Sequence, residues 1–133
     1  MKRETTMNAH HEQFARQVFD AVDRQDVDRF VGAMTPDAGF TFANYPTVKG
    51  TAAIADYCRQ FYQAIAGLRH DVQDVWRDGD AVVTRADVTY TRKDGTTVTV
   101  PCITLFRMAD NRIHDYRVYV DMGPVFLPVL GGQ

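Results

Sequence analysis

The sequence has little of what would mark a disulfide-stabilised scaffold, a nucleic-acid binder or a membrane protein. It contains two cysteines among 133 residues, and 15 basic residues against 17 acidic ones give a formal net charge of −2. No block of five like charges occurs. Binding to nucleic acid or to an anionic membrane surface normally needs a basic stripe, so neither partner is expected. Every apolar run is far shorter than the ~20 residues of a membrane-spanning helix.

The sequence also lacks the usual cofactor and metal motifs. Cys58 and Cys102 form no C-x-x-C pair and no zinc-type spacing with histidine. Both lie among apolar neighbours, so buried free thiols are predicted. No glycine-rich phosphate loop and no nucleophile elbow is present, and we therefore expect a cofactor-independent protein without a metal. The N-terminal residues contain no apolar segment of the signal-peptide kind, which predicts a cytoplasmic location.

What is present indicates one globular domain over residues 1–133. Hydrophobic residues make up 45% of the chain and charged residues 24%, proportions typical of a protein that buries a core. Apolar periodicity predicts a helix over Asn8–Asp23, a short helix capped by Asp26 that runs to Met34, and a third helix that Thr51 caps and Gly67 follows. Strand patterns follow at 39–44, 68–77, 81–92, 96–108 and 112–121.

Short turns join the last four strands into an antiparallel meander. The turn sequences are Asp78-Gly79-Asp80, Lys93-Asp94-Gly95 and Ala109-Asp110-Asn111. Pro101 falls inside a strand, where a bulge or an edge position is expected. Three N-terminal helices before such a meander predict an α+β fold, in which the helices pack on a curved, mainly antiparallel sheet that forms a cone. The open mouth of a cone is a favoured place for a small-molecule pocket.

Four polar residues are candidates for catalysis in that pocket. Arg85 and Asp87 are two apart on a strand, so they share one face, which is either solvent or a polar cavity. Asp121 ends the last strand among apolar neighbours, and the amide of Asn44 can orient a water molecule. Two carboxylates bridged by an arginine would suit general acid/base catalysis, because their environments can separate the two pKa values.

Other side chains complete the predicted site. His70 and His114 flank strands and are alternative proton shuttles, although a histidine in such a place is more often structural. The C-terminal segment Val125–Leu130 is apolar and would form either a cover for the mouth or an interface. Aromatic side chains are expected to line the substrate pocket, namely Phe42, Tyr57, Phe61, Trp76, Phe106 and Tyr119.

Several phrases of the chain resemble one known superfamily. They are PDAGF, VKGTAAIADYCRQFY, DVWRDGDAVV, TYTRKDG and IHDYRVYVDMGPVF. From about Asn8 to Phe126 the element order and these phrases resemble the NTF2-like superfamily, and within it the SnoaL-like proteins. That resemblance implies the cone-shaped α+β fold, a small organic ligand, and a homodimer that pairs through the open sheet face.

Three shorter motifs resemble limonene-epoxide hydrolase. They are Phe42-Ala43-Asn44-Tyr45-Pro46, Arg85-Ala86-Asp87-Val88 and Tyr116-Arg117-Val118-Tyr119-Val120-Asp121. By this resemblance Asp121 would be the general base on water, and Asn44 would help to hold that water. Asp87 would protonate the epoxide oxygen, and Arg85 would bridge the two carboxylates. Phe42 stands where that family has a tyrosine.

Two further branches of the superfamily give weaker guidance. At the positions of the ketosteroid isomerase base and oxyanion donors this chain has Phe42 or Ala43, Val18 and Thr104, none of which can do that chemistry. The SnoaL-type polyketide cyclases use a carboxylate in the pocket, a role that Asp121 would fill. Two hypotheses therefore stand: an acid/base enzyme of epoxide hydrolase, isomerase or cyclase type, and a non-catalytic module for ligand binding or dimerisation.

Overall fold

The computed structural model describes the backbone of residues 2–126 and the side chains from His10 onward. The order of elements confirms the predicted α+β class. The ten elements are α1 (Lys2–Asp23), α2 (Val27–Gly32), β1 (Met34–Phe42), β2 (Val48–Lys49), α3 (Thr51–Gln63), β3 (Gly67–Asp78), β4 (Ala81–Thr91), β5 (Thr97–Ala109), β6 (Arg112–Val120) and α4 (Gly123–Phe126).

The six strands form one mixed sheet in the order β2-β1-β6-β5-β4-β3. All neighbouring strands are antiparallel except β1 and β6, which run parallel. Strands β3 to β6 are the predicted meander. Helices α1, α2 and α3 cover one face of the sheet, where Phe19, Phe30 and Ile54 are buried against inward side chains of the strands. The core therefore lies between the helices and this inner face of the sheet.

The turns of the meander have the backbone that their sequences predict. Asp110 and Asn111 both have positive φ angles, 53° and 64°, which a two-residue type I′ turn requires. Gly95 has φ 89°, and Oδ1 of Asp94 accepts hydrogen bonds from the backbone N and the hydroxyl of Thr96 at 2.9 and 2.6 Å. These turns help to fix the registers of the β4–β5 and β5–β6 pairs.

Several predicted boundaries in the N-terminal half were wrong. Helix α2 is capped by Asp26 as predicted, but it ends at Gly32, and Met34 already begins β1. Strand β1 tolerates Pro36 because its pairing with β6 is interrupted between Met34 and Gly39. Helix α3 has its N-cap at Gly50, with φ 89°, instead of at Thr51.

Gly67 also differs from its predicted role. Helix α3 ends at Gln63, and Ala64 closes it by donating its backbone N–H to the carbonyl of Phe61 at 2.9 Å. The C-terminus needs no left-handed glycine for this closure, and Gly67 begins β3.

Pro101 occupies a local edge within a central strand. Pairing of β5 with β6 begins at Cys102, so Pro101 has a partner only on β4, namely Asp87. The missing N–H of proline therefore interrupts no ladder to β6. This arrangement is the edge position that the sequence predicted, without a bulge at that point.

The two cysteines are buried and unpaired, as predicted. Burial raises the pKa of the Cys58 thiol to about 12 and also raises that of Cys102. Of the helices in residues 2–126, none combines the length and the apolar character that crossing a membrane would require.

Candidate functional site

An apolar cavity of about 50 Å³ lies between the helices and the inner face of the sheet. Phe30, Phe40 and Val118 are among its apolar lining residues, and Phe42 and Phe61 stand at its partly exposed side. The lining residues that carry polar side-chain atoms are His70, Tyr62, Tyr90, Thr104 and Tyr116, together with the two cysteines. A few convergent polar groups in an apolar pocket are the usual composition of a small-molecule site.

The strongest polar feature of the cavity wall is the pair formed by His70 and Asp23. Asp23 is the last residue of α1, and its Oδ1 lies 2.6 Å from Nδ1 of His70 on β3. Its other oxygen accepts the backbone N–H of His70 at 2.8 Å. An ionised carboxylate only accepts hydrogen bonds, so Nδ1 is the protonated nitrogen of the ring. In the neutral form of the ring, the lone pair is then on Nε2.

Packing fixes the plane of this ring. His70 stacks on Phe19, with ring centroids 4.4 Å apart and planes 6° apart. Its side chain is 8% exposed, and that of Asp23 is 20% exposed. Within residues 2–126, His70 has no further hydrogen-bond partner, and no fully buried polar side-chain atom lacks one. Nε2 therefore keeps some accessible surface, and His70 is one of the residues that line the cavity.

Three tyrosines are among the residues that line the same cavity. Burial raises the pKa of Tyr62, Tyr90 and Tyr116, so each phenol stays protonated in the folded protein near neutral pH. The hydroxyl of Tyr62 donates to the backbone carbonyl of Val22 at 3.2 Å. These groups make the cavity a place for a neutral molecule that has a few polar atoms.

The predicted catalytic pair of Arg85 and Asp87 lies on the other side of the sheet. The inward residues of β4 are Val82, Thr84, Ala86, Val88 and Tyr90. The alternation of a strand therefore directs Arg85 and Asp87 to the open face. The Arg85 side chain is 51% exposed and forms an ion pair with Asp74 at 2.7 Å. Of the two faces that the sequence left open for this pair, the structure places both residues on the solvent face, away from the cavity.

Asp121 and Asn44 do not reach the cavity either. Asp121 is exposed, and its Oδ1 accepts the backbone N–H of Gly123 at 2.9 Å, so it serves the start of α4. Asn44 is exposed in the turn that follows β1. The four residues proposed as a catalytic group therefore do not come together. Asp121 and Asn44 are exposed because polar residues at strand ends and in turns are ordinarily solvated.

Only some of the aromatic residues that were expected to line the pocket do so. Phe42 and Phe61 line the cavity with ring centroids 5.3 Å apart. Phe106 is fully buried behind it, between Phe19 and Tyr116, and Tyr57 packs on Phe40.

Trp76 and Tyr119 are on the open face, 50% and 54% exposed, so their placement in the pocket was wrong. Tyr119 alternates with the inward Val118. For Trp76 the reason is a register shift in β3 between Val72 and Asp74, which reverses the faces of all later residues of the strand.

His114 and the apolar C-terminal segment, the remaining candidates from the sequence, lie outside the cavity lining as far as they are described. His114 is exposed, with Nδ1 3.4 Å from the Thr35 hydroxyl and 3.9 Å from Asp37. Val125 is buried, Phe126 is exposed, and the remaining residues of the apolar segment 125–130 lie outside the described residues. In the described part of the chain, no three His, Cys, Asp or Glu side chains are grouped so that they would hold a metal ion.

Comparisons with known proteins agree with this architecture. A family model for the SnoaL-like domain matches residues 15–116. The chain belongs to the SnoaL-like domain family. No curated protein matches the sequence of this SnoaL-like domain.

Solved structures show the NTF2-like fold at low identity. An NTF2-like protein of unknown function from Burkholderia pseudomallei is 18% identical, with TM-score 0.80 over 88% of this chain and 95% of its own. An LEH-like epoxide hydrolase from M. tuberculosis is 20% identical, with TM-score 0.76 over 95% and 93%. TerC, co-crystallised with polyporic acid, is 18% identical, with TM-score 0.78 over 92% and 98%.

Proposed function

We propose that this SnoaL-like domain is an enzyme that transfers a proton on a small, largely apolar organic molecule held in the cavity. His70 is the general base and acid, and Asp23 is the residue that positions it. The observation that carries this proposal is the 2.6 Å contact between Nδ1 of His70 and Asp23, at a histidine that lines the cavity. An isomerase or a cyclase needs such a group, whereas no cavity carboxylate is available to activate water for epoxide hydrolysis in the described residues.

The Asp–His pair has the arrangement that general bases commonly have. A carboxylate that binds Nδ1–H selects the neutral tautomer whose lone pair is on Nε2, orients the ring, and stabilises the cation that forms when Nε2 takes a proton. The surrounding apolar side chains exclude water and so strengthen this interaction.

The size of the cavity sets a condition on the substrate. A cavity of about 50 Å³ has room for a few water molecules, whereas a cavity of roughly 150 Å³ admits benzene. A ring-sized substrate must therefore displace side chains. Phe42 and Phe61, which are only partly buried, are the side chains with space to rotate. The co-crystal of TerC with polyporic acid supports a small organic ligand for a domain of this fold.

Proton exchange tests the proposal without knowledge of the natural substrate. A panel of cyclic ketones, including 2-tetralone, would be incubated with the protein in D₂O, and the loss of α-proton signals would be followed by NMR. The wild-type protein and the control H114Q, which changes an exposed histidine, should catalyse exchange. H70Q should lose at least 100-fold of the rate. Equal exchange by H70Q and the wild type would contradict the assignment.

A second candidate is a ligand-binding or dimerisation module, and the open face of the sheet favours it. Trp76 and Tyr119 are exposed there beside the half-buried Val83, Ile103 and Leu105. A homodimer through this face would cover the only tryptophan of the chain. Light scattering would give the mass, and a blue shift of Trp76 emission with rising concentration would locate the contact. Ligand binding without any catalysed exchange would favour this second function.

A further inference from the structure

A polar cleft of about 790 Å³ lies on the open face of the sheet, where β2, β1, β6 and β5 run side by side. None of the residues that line this cleft also lines the apolar cavity, so the two places are separate. Most of the cleft residues have ionisable side chains, in contrast to those of the cavity. These are Asp37, Lys49, Arg107, His114, Asp115 and Arg117.

Strand pairing sets part of this group in one row across the four strands. Gly39 on β1 pairs with Lys49 on β2 and with Asp115 on β6. Asp115 in turn pairs with Arg107 on β5, and Arg117 is two residues further along β6. The two ends of the row are three strand spacings apart, about 14 Å, and a long basic side chain stands at each end. The row faces outward because the adjoining residues are buried in the core, namely Phe40, Tyr116 and Phe106.

Gly39 leaves the middle of this row without a side chain. A methyl group at this position would lie 3.0 Å from Oδ1 of Asp115 and 3.5 Å from the methyl group of Thr47. The hydroxyl of Thr47 is 2.7 Å from that of Thr41, which fixes the side of the cleft toward β2. A glycine inside a strand often marks a point where a ligand approaches the backbone closely. The floor of the cleft is therefore open backbone between two basic ends.

The basic side chains of the cleft are only partly neutralised by the protein. Arg117 donates its Nε–H to Asp115 at 2.8 Å, so these two charges offset each other. Arg107 has a contact of 3.5 Å with Asp80, in which both side chains are more than half exposed. Among the side chains that the structure describes, none forms an ion pair or a hydrogen bond with Lys49. Positive charge is therefore left over at both ends of the row.

The acidic side chains of the cleft oppose an anion only weakly. The charge of Asp115 is offset by Arg117, and Asp37 is 82% exposed, so water screens its charge. The carboxylate of Asp37 is also 3.9 Å from Nδ1 of His114, which adds a positive charge when it is protonated. The local balance thus favours a negatively charged ligand.

We propose that this cleft binds a phosphate group over Gly39, between Lys49 and the two arginines, either as free phosphate or as a small phosphomonoester. Guanidinium groups bind oxyanions through paired N–H donors, and an ammonium group adds a point charge. Beyond Arg117, Leu105 gives an apolar surface for the organic part of an ester. The site does not depend on the proposed proton transfer, because it shares no residue with the cavity.

Amide chemical shifts of nitrogen-15-labelled protein test this proposal at neutral pH and constant ionic strength. Inorganic phosphate should shift the amides of Gly39, Thr47 and Gly50 along one saturating curve with a millimolar Kd. Acetate and chloride should bind at least about fivefold more weakly, because they offer fewer oxygen acceptors or none. A second titration with phenyl phosphate distinguishes the two sources of the group. Tighter binding than that of phosphate identifies an organic ester, and equal or weaker binding identifies free phosphate.

Variants of the row should change the affinity in opposite directions. K49Q and R107Q should each weaken phosphate binding about fivefold or more, whereas D115N should strengthen it about twofold or more, because Arg117 becomes free. G39A should also weaken binding, since its methyl group occupies the floor without any change of charge. R85Q removes an ion-paired arginine from the same face outside the cleft, and it should bind phosphate like the wild type.

The outcomes that overturn the proposal are equally specific. Shifts that grow linearly with phosphate, or that acetate and chloride reproduce, would show a general salt effect and no site. Unchanged affinity in K49Q and R107Q, or an equal loss in R85Q, would also contradict it. Melting curves establish that each variant is folded. H70Q should bind phosphate like the wild type, so failure of the phosphate site and failure of the proposed base are distinguishable.

Discussion

The carboxylate of Asp23 holds the ring of His70 at 2.6 Å and the backbone N–H of the same residue at 2.8 Å. One side chain thus joins the end of α1 to β3 and sets the direction of the proposed base. The stacking of His70 on Phe19, four residues before Asp23, adds a second link between the same two elements. Helix α1 is therefore part of the site as well as a cover for the sheet.

Replacing Asp23 with Asn should separate its contact with the His70 ring from its contact with the His70 backbone. The amide oxygen of D23N can still accept the backbone N–H, but the amide N–H₂ favours an unprotonated Nδ1, so the proton of the ring moves to Nε2. We expect proton exchange to fall as far as in H70Q, with a loss of stability of about 1–3 kcal/mol. Nitrogen-15 shifts of the His70 ring would reveal the tautomer. An unchanged tautomer together with full activity would contradict the role of Asp23.

The three cavity tyrosines should respond differently to removal of the hydroxyl. Y62F loses the hydrogen bond to the Val22 carbonyl and should cost about 1 kcal/mol of the free energy of unfolding. Y90F and Y116F lose no protein hydrogen bond and should be neutral or stabilising, because an unpartnered polar atom leaves the interior. Urea unfolding of the three variants measures this directly. A loss of 1 kcal/mol or more in Y90F would indicate a partner for its hydroxyl.

The fold was predictable from the sequence because its signals are local. Alternating strands, Asp110-Asn111 with its positive φ angles, and the Asp94–Gly95 turn fix the meander without reference to distant residues. The alternation of β4 also indicated which face of the sheet Arg85 and Asp87 occupy. Their neighbours Ala86, Val88 and Tyr90 are apolar, and an apolar face is ordinarily the buried one. The resemblance of the R-x-D-V motif pointed the other way.

Other parts of the site depend on contacts that no local pattern contains. The register shift after Val72 directs Trp76 outward, and nothing in the strand sequence marks its position. The pairing of His70 with Asp23 spans 47 residues of the chain. His70 was recognisable only as a histidine among the apolar positions of β3, and that signal alone is weak.

Thiol reactivity should depend on folding because both cysteines are buried. Burial raises the pKa of Cys58 to about 12 from its ordinary value of 9.0, so folding favours the neutral thiol. The corresponding stability is complete below about pH 9 and is lost as the pH rises toward about 12. At pH 8, Ellman's reagent should label neither thiol of the native protein within minutes, and both after unfolding in guanidinium. Rapid native labelling would show that the cavity opens readily.

Arg92, which directly follows β4, should matter more for stability than Arg85, which lies within β4. Its guanidinium donates to the backbone carbonyls of Val125 and Pro124 at 3.0 and 2.9 Å, which holds α4 against the sheet. R92Q should lose about 1–3 kcal/mol, because charge-assisted bonds to α4 disappear. R85Q, which breaks an exposed ion pair with Asp74, should lose less than about 1 kcal/mol. Thermal melts of the two variants under the same conditions make the comparison, and equal losses would contradict it.

Removing the polar residues of the open face should leave the cavity chemistry intact. R85Q and D87N change side chains on the far side of β4 from His70, and neither touches a residue that lines the cavity in residues 10–126. We expect proton exchange and 2-tetralone affinity within about twofold of the wild type, since the two faces are separated by the sheet itself. D121N should behave likewise, apart from a weaker start of α4. A loss of 100-fold or more in D87N at full thermal stability would return the catalytic assignment to the open face, because Asp87 has no contact with His70 or Asp23 through which it could act on the cavity.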